Sequence, residues 1–212
     1  MGLDVVVGLP EAGDPEAAEW VADECAMINA VLARAGAPAW SEPPGLTRTP
    51  IPMWGYRGLH ALRRVAAYVA ASGRLPEPPT DPYAAARDPV LAVLYGRGPG
   101  DPAGPFDHLI HHADCEGYYV PVDFGPVPYD EDLLGHYLGS SVRLLAELHV
   151  LAEALGLPAD LDPEGPEVCA AVRLPEAERR GWQRHLSAAG TCLGLLRAAR
   201  LSTESGAVVR FW

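Results

Sequence analysis

Residues 106–124 have the sequence FDHLIHHADCEGYYVPVDF. At both ends of this segment, in 106–111 and 118–124, the residues alternate with a period of two, which is typical of a β-strand. Residues 113–117 between them are rich in turn formers. The segment therefore predicts a β-hairpin near 106–124. Because Pro121 cannot donate a ladder hydrogen bond, we expect the second strand to lie at a sheet edge.

The same segment concentrates groups that can bind a metal or carry acid-base chemistry. Three of the seven histidines, four carboxylates and a cysteine lie within residues 107–123. On a strand, His108 and His112 share one face, and a turn can fold Asp114 back beside them. This pattern predicts a zinc site with the ligands His108, His112 and Asp114. Two alternatives stay open: metal-free acid-base or thiol chemistry, and a structural role in which these groups pair with each other or with the backbone.

The remainder of the chain is dominated by helical periodicity. Of its 212 residues 49% are hydrophobic, a value typical of a folded globular protein. Apolar residues recur at helical spacing after Pro15, from Leu59 to Val69, over 131–155 and from Pro175 onward. We therefore predict a helix-rich α+β single domain over residues 1–212, with a small, mostly antiparallel sheet that includes the hairpin. A glycine- and proline-rich cluster marks a candidate internal boundary near 96–105.

Charge narrows the range of partners. The 28 acidic residues outnumber 16 basic ones, the net charge is −12, and every basic residue is arginine. This balance argues against a phosphate-binding surface and against nucleic acid as a partner, because binding to nucleic acid depends on Lys and Arg contacts to phosphate. The densest basic stretch, residues 179–184, lies in the helix predicted from Pro175 onward. An acidic surface favours a basic protein as partner.

Cysteine spacing and hydropathy indicate the compartment. The four cysteines form no C-x-x-C pair. No segment resembles a signal peptide or reaches the roughly 20 apolar residues that a membrane-spanning helix needs. We therefore expect a cytoplasmic protein with reduced thiols and no membrane partner.

The segment from His112 to Phe124, H-x-D-C-x-G-Y-Y-V-P-V-D-F, followed by Gly139-Ser-Ser and Leu145-Ala-Glu-Leu148, resembles a family of uncharacterised bacterial and plant proteins. The resemblance implies no activity. It implies that the hairpin and the Gly-Ser-Ser helix belong to one unit. A shared site would gather the polar residues of both: His111, His112, Asp114, Asp123, Ser140 and Ser141.

Three hypotheses for function follow. The first is a binding module for an unknown small ligand or a protein partner, without cofactor, whose site lies between the hairpin and the 131–155 helix. Its predicted ligand-binding residues are His111, His112, Asp114, Tyr119, Asp123, Ser140 and Ser141. The second is a metal-assisted hydrolase that holds zinc through His108, His112 and Asp114 and uses Glu116 or Asp123 as its base. The third is an acidic neutraliser of a basic protein, similar to an immunity protein or antitoxin.

Overall fold

The strand Val209–Phe211 lies at the centre of a five-stranded sheet and joins strands from both halves of the sequence. The computed structural model describes residues 3–10, 15–79, 81, 83–97 and 104–212. In chain order the strands are β1 (Val5–Val7), β2 (Thr49–Ile51), β3 (Gly117–Val120), β4 (Leu138–Ser140) and β5 (Val209–Phe211). Their order in the sheet is β2-β1-β5-β3-β4, with β3 and β4 parallel and the other neighbours antiparallel. The predicted helix-rich α+β fold with a small, mostly antiparallel sheet is confirmed.

Seven α-helices lie in the ranges that the structure describes. They are α1 (Pro15–Arg34), α2 (Gly55–Ser72), α3 (Pro89–Tyr95), α4 (Asp107–Ile110), α5 (Ser141–Leu155), α6 (Pro166–Arg173) and α7 (Leu186–Ser205). None of these helices is long and apolar enough to cross a membrane.

Different helices cover the two faces of the sheet, because successive side chains of a strand point in opposite directions. Tyr119 packs into a core formed with α2, α5 and α7. Its neighbours Tyr118 and Val120 pack on the other face against α1. The sheet therefore separates α1 from the layer that contains α2, α5 and α7.

The predicted hairpin near 106–124 is wrong. Residues 107–110 form the short helix α4, and β3 pairs with β4 and β5, so it is not an edge strand. The Glu147 carboxylate of α5 accepts hydrogen bonds from the amides of His108 (3.0 Å) and Leu109 (2.9 Å). A β-hairpin would use these two amides for hydrogen bonds to its partner strand. Here they are N-terminal amides of α4, which have no acceptor within the helix, and the Glu147 carboxylate accepts their hydrogen bonds.

Helix boundaries also differ from the sequence pattern. The helix predicted over 131–155 begins only at Ser141, because Leu138–Ser140 form β4 and the Ser140 hydroxyl caps the helix by accepting from the Arg143 amide (3.2 Å). The helix predicted from Pro175 begins at Leu186, and Glu176–Glu178 and Gly181–His185 form 3₁₀ turns. The candidate boundary near 96–105 lies mostly outside the described residues, while strands from both of its sides pair in one sheet.

The Gly139-Ser-Ser motif has a packing role at the join of β4 and α5. Gly139 lies opposite Tyr119 in the parallel pair, and a Cβ at this position would come within 2.1 Å of the Tyr119 ring. The Ser141 hydroxyl shares a hydrogen bond of 2.8 Å with the Ser202 hydroxyl of α7. The absence of a side chain at Gly139 thus leaves space for the Tyr119 ring in the core. Ser140 joins β4 to α5, and Ser141 joins α5 to α7.

We expect Gly139→Ala to lower the free energy of unfolding by about 1–3 kcal/mol, because its methyl group overpacks the core against Tyr119. Urea denaturation followed by far-UV circular dichroism measures this change. The control is Gly125→Ala, whose Cβ would meet no atom within 4 Å and should change stability by less than about 0.5 kcal/mol. Equal stability of the Gly139 variant and the wild type would contradict this role.

Candidate functional site

The segment 107–124 is organised around a buried arginine that the sequence pattern did not single out. Arg63 of α2 is 1% exposed. Its guanidinium donates to the backbone carbonyls of Leu109 (2.8 Å) and His112 (2.5 Å) and pairs with the Asp114 carboxylate. Arg63 stands among Leu62, Val65 and Ala66 on the apolar stripe of α2, and this position on the stripe is the signal that could have identified it.

The His112 imidazole is enclosed by aromatic rings. It stacks on the Tyr119 ring at a centroid distance of 4.0 Å and meets Phe211 edge-on at 4.9 Å. Its Nδ1 faces the Ala113 carbonyl oxygen (3.0 Å) and its Nε2 faces the Tyr118 carbonyl oxygen (3.3 Å). Burial lowers the pKa of His112 to about 3, so the ring is neutral at pH 7.

His108 is also buried, and both of its ring nitrogens are bonded. The Ser140 amide donates to Nδ1 (2.9 Å), which leaves the ring proton on Nε2, and this N–H donates to the Gly125 carbonyl (3.0 Å). Burial lowers the pKa of His108 to about 4. The lone pair that would bind a metal is therefore already used by a backbone amide.

The structure does not bring His108, His112 and Asp114 together as metal ligands. One Asp114 oxygen pairs with Arg63, and the other lies 3.3 Å from Nε2 of His60. Across the described ranges, no group of three or more His, Cys, Asp or Glu side chains is arranged to hold a metal ion. The described residues therefore provide no set of ligands for the zinc ion of the second hypothesis.

The predicted ligand-binding residues are divided between the interior and the surface. Tyr119 is buried and donates from its hydroxyl to the His108 carbonyl (2.9 Å), while the Ser140 hydroxyl donates to the Val122 carbonyl (2.6 Å). His111 is half-buried, 3.6 Å from Asp107. Asp123 is exposed and pairs with Arg143 (2.5 Å). These bonds join the segment to its neighbours, and a ligand-binding role for the set stays a prediction.

Glu147 is a further, partly buried acid that the sequence pattern did not identify. It lies between Leu144 and Leu148 on α5, and the two backbone amides of α4 are its hydrogen-bond donors. Burial raises the pKa of Glu147 to about 8, although the two amide hydrogen bonds act in the opposite direction. Its position beside Leu144 and Leu148 on the apolar stripe of α5 is the sequence signal that could have identified Glu147.

Exposed carboxylates mark the outer side of α1. Glu16, Glu19 and Asp23 are exposed on this helix, and none of them has an ion-pair partner among the described residues. Arg34, at the C-terminal end of α1, pairs with Asp130 and places the turn that contains Glu131 and Asp132 beside this end. We name the exposed carboxylates of the helix and the turn the α1 acidic face: Glu16, Glu19, Asp23, Glu131 and Asp132.

The inner side of α1 holds the helix against the sheet. Ile28, Val31 and Leu32 are buried in the core beneath it. Glu24 turns inward, where its carboxylate accepts a hydrogen bond from the Tyr118 hydroxyl. The acidic face is therefore presented by a helix that is packed against the sheet from Trp20 to Leu32.

Comparison with known families places this acidic chain in a family whose description refers to mimicry of DNA. A family model described as "Putative DNA-mimic protein" matches residues 1–211. The chain belongs to this family. The match covers the chain as a whole, which agrees with the resemblance to an uncharacterised family drawn from residues 112–124. No curated protein and no solved structure matches the chain.

Membership of the DNA-mimic family changes the ranking of the hypotheses. It supports an acidic protein-binding module, the third hypothesis, better than a small-ligand module. The prediction that nucleic acid has no part in the recognition by this protein was wrong, because the family description relates its members to DNA through mimicry; a protein partner agrees with that description.

We expect the protein to lose stability as the pH falls below about 6.5. His108 and His112 have pKa values of about 4 and about 3 in the folded state, so only the unfolded chain binds protons there as the pH first falls. Each histidine lowers the free energy of unfolding by about 1.4 kcal/mol per pH unit. Glu147, with a folded pKa of about 8, acts in the opposite direction between about pH 8 and 4.5 and offsets one of them.

Urea unfolding at pH 8, 6.5 and 5 tests this balance. Glu147→Gln removes the opposing titration, and we expect its loss of stability below pH 6.5 to be steeper than that of the wild type by about 1.4 kcal/mol per unit. Val150→Ala, at an exposed position of α5 without a titratable group, serves as the control and should retain the wild-type pH dependence. A free energy of unfolding that is unchanged between pH 6.5 and 5 would contradict the neutral state of the two histidines.

Proposed function

We propose that this protein imitates DNA and binds a basic DNA-binding protein through the α1 acidic face, so that the partner is kept from its DNA. The observation that carries the proposal is the combination of family membership with a net charge of −12 and a helix whose exposed acids are unpaired in the described structure. A surface of this kind attracts a positively charged partner and accelerates the encounter.

The length of the row of carboxylates supports imitation of a phosphate backbone, although its members are more widely spaced along the axis than phosphates are. At a rise of about 1.5 Å per residue, Glu16 and Glu19 are about 4.5 Å apart along α1, and Glu19 and Asp23 are about 6 Å apart. Phosphates along one DNA strand follow at about 3.4 Å of helix axis. From Glu16 to Arg34, beside the acidic turn, α1 spans about 27 Å, the length of about eight base pairs.

Few cations lie near the face: the Arg210 guanidinium of β5 stacks over the Trp20 ring of α1 at 4.9 Å, and α1 itself contributes one arginine. Arg34 is the only basic residue in the sequence of α1, and Asp130 neutralises it. The chain contains no lysine. A basic partner therefore meets carboxylates along α1 without a competing positive charge from this helix.

Rigidity of α1 favours binding. The helix is held by its apolar contacts and by the Glu24–Tyr118 hydrogen bond, so the carboxylates are ordered before the partner arrives. A preorganised surface loses less side-chain and loop entropy on binding than a flexible acidic tail does.

The test begins with the full chain immobilised and exposed to extract from the source cells. A partner of the proposed kind is retained on the chain and released by an excess of double-stranded oligonucleotide, since both compete for one basic surface. The partner eluted in this way is then purified, and its Kd for the chain is measured at several salt concentrations.

Two charge-matched triple variants identify the surface. We expect Glu16→Gln, Glu19→Gln and Asp23→Asn together to raise the Kd at least tenfold and to flatten its salt dependence. The control, Asp160→Asn, Asp162→Asn and Glu167→Gln, removes the same three charges from exposed positions elsewhere and should bind nearly as well as the wild type. Equal weakening by both variants, or a partner that DNA does not release, would refute the proposal.

A further inference from the structure

We propose a second site on the side of the sheet opposite α1, a cavity that binds a phosphorylated small molecule. The cavity has a volume of about 310 Å³ and lies between the middle of α2 and the start of α7. Four arginines line it, against one carboxylate, that of Glu176: Arg57, Arg64, Arg179 and Arg184. This concentration of positive charge is unexpected in a chain of net charge −12.

Two of the four arginines retain hydrogen-bonding capacity. Arg64 and Arg184 are already paired, with Asp88 (2.6 Å) and Glu77 (2.9 Å). Arg57 donates to the Tyr83 hydroxyl (2.8 Å) and has no carboxylate partner in the described structure. Nε of Arg179 is buried without any hydrogen-bond partner there.

Arginine donors without a carboxylate partner favour an anionic ligand: Arg57 is exposed at the cavity, and in the half-buried Arg179 the Nε atom itself is buried. A buried N–H that lacks an acceptor is costly, and a phosphate offers several oxygens to the planar guanidinium group. Arg57 and Arg179 together outweigh the charge of Glu176, whereas the other two arginines are neutralised by their own partners. The unpaired arginines are therefore the predicted ligand contacts.

The start of α7 adds to the positive potential. This helix is 20 residues long, and its N-cap residue His185 makes no side-chain capping hydrogen bond. Leu186 and Ser187, in its first turn, line the cavity. The amides of a helix start carry a partial positive charge and favour a bound anion.

The remaining wall indicates what else the ligand carries. Ala61, Val65 and Pro78 supply an apolar surface beside the arginines. A volume of 310 Å³ lies at the lower end of the range for small-molecule sites, about 300–1,000 Å³. A phosphate ester with a compact apolar group fits both parts of the lining, whereas inorganic phosphate uses only the cationic part.

Phenyl phosphate and inorganic phosphate are the probes for this site, titrated into the full chain by calorimetry at constant ionic strength. We expect phenyl phosphate to bind once per chain with a Kd below about 1 mM and more tightly than inorganic phosphate. Benzoate, which has the ring and a carboxylate, should bind at least tenfold more weakly. No binding of phenyl phosphate, or equal binding of benzoate, would overturn the assignment.

Charge-matched variants locate the binding. Arg57→Gln with Arg179→Gln should raise the Kd for phenyl phosphate at least tenfold. Arg173→Gln with Arg200→Gln removes the same two charges at exposed positions outside the cavity and should leave the Kd unchanged. An equal loss in both pairs would overturn the proposal. Thermal unfolding without ligand establishes that each variant is folded.

Discussion

The buried guanidinium of Arg63 is the contact on which the centre of this fold depends. It joins α2 to the carbonyls of Leu109 and His112 and to the Asp114 carboxylate. The guanidinium is buried whereas Asp114 is partly exposed, and leaving the buried donors without acceptors would cost at least about 1–3 kcal/mol, so these contacts favour the observed arrangement of α2 and residues 109–114. β3 begins three residues after Asp114, and its position between β4 and β5 therefore depends on the same contact.

Charge is distributed unequally over the two sides of the sheet. The outer side of α1 carries carboxylates that have no cationic partner in the described structure. On the other side, the turns before α7 bring Arg179 and Arg184 against Arg57 and Arg64 of α2. Because the sheet and its two cores lie between them, the two proposed sites can act independently, one on a protein and the other on a small anion.

The histidine-rich segment illustrates why a chemically dense stretch need not be a site. His108, His112 and Tyr119 were attractive as ligands because their side chains are reactive. In the folded chain their polar atoms face carbonyls or amides of the backbone. These contacts compensate for burying polar groups, and the functional proposals rest instead on exposed acids and on arginines that are far apart in sequence.

The α+β class, the helix-rich composition and the acidic character follow from hydrophobic periodicity and charge, which are local properties of the chain. The hairpin prediction was wrong because alternation over 106–111 is local too, whereas the Glu147 carboxylate that captures the His108 and Leu109 amides lies 39 and 38 residues away. The arginine-lined cavity likewise requires residues 57–85 to meet residues 176–188. Only the packed structure determines such contacts. A polar group that packing buries needs a hydrogen-bond partner, and that partner can lie far away in the sequence.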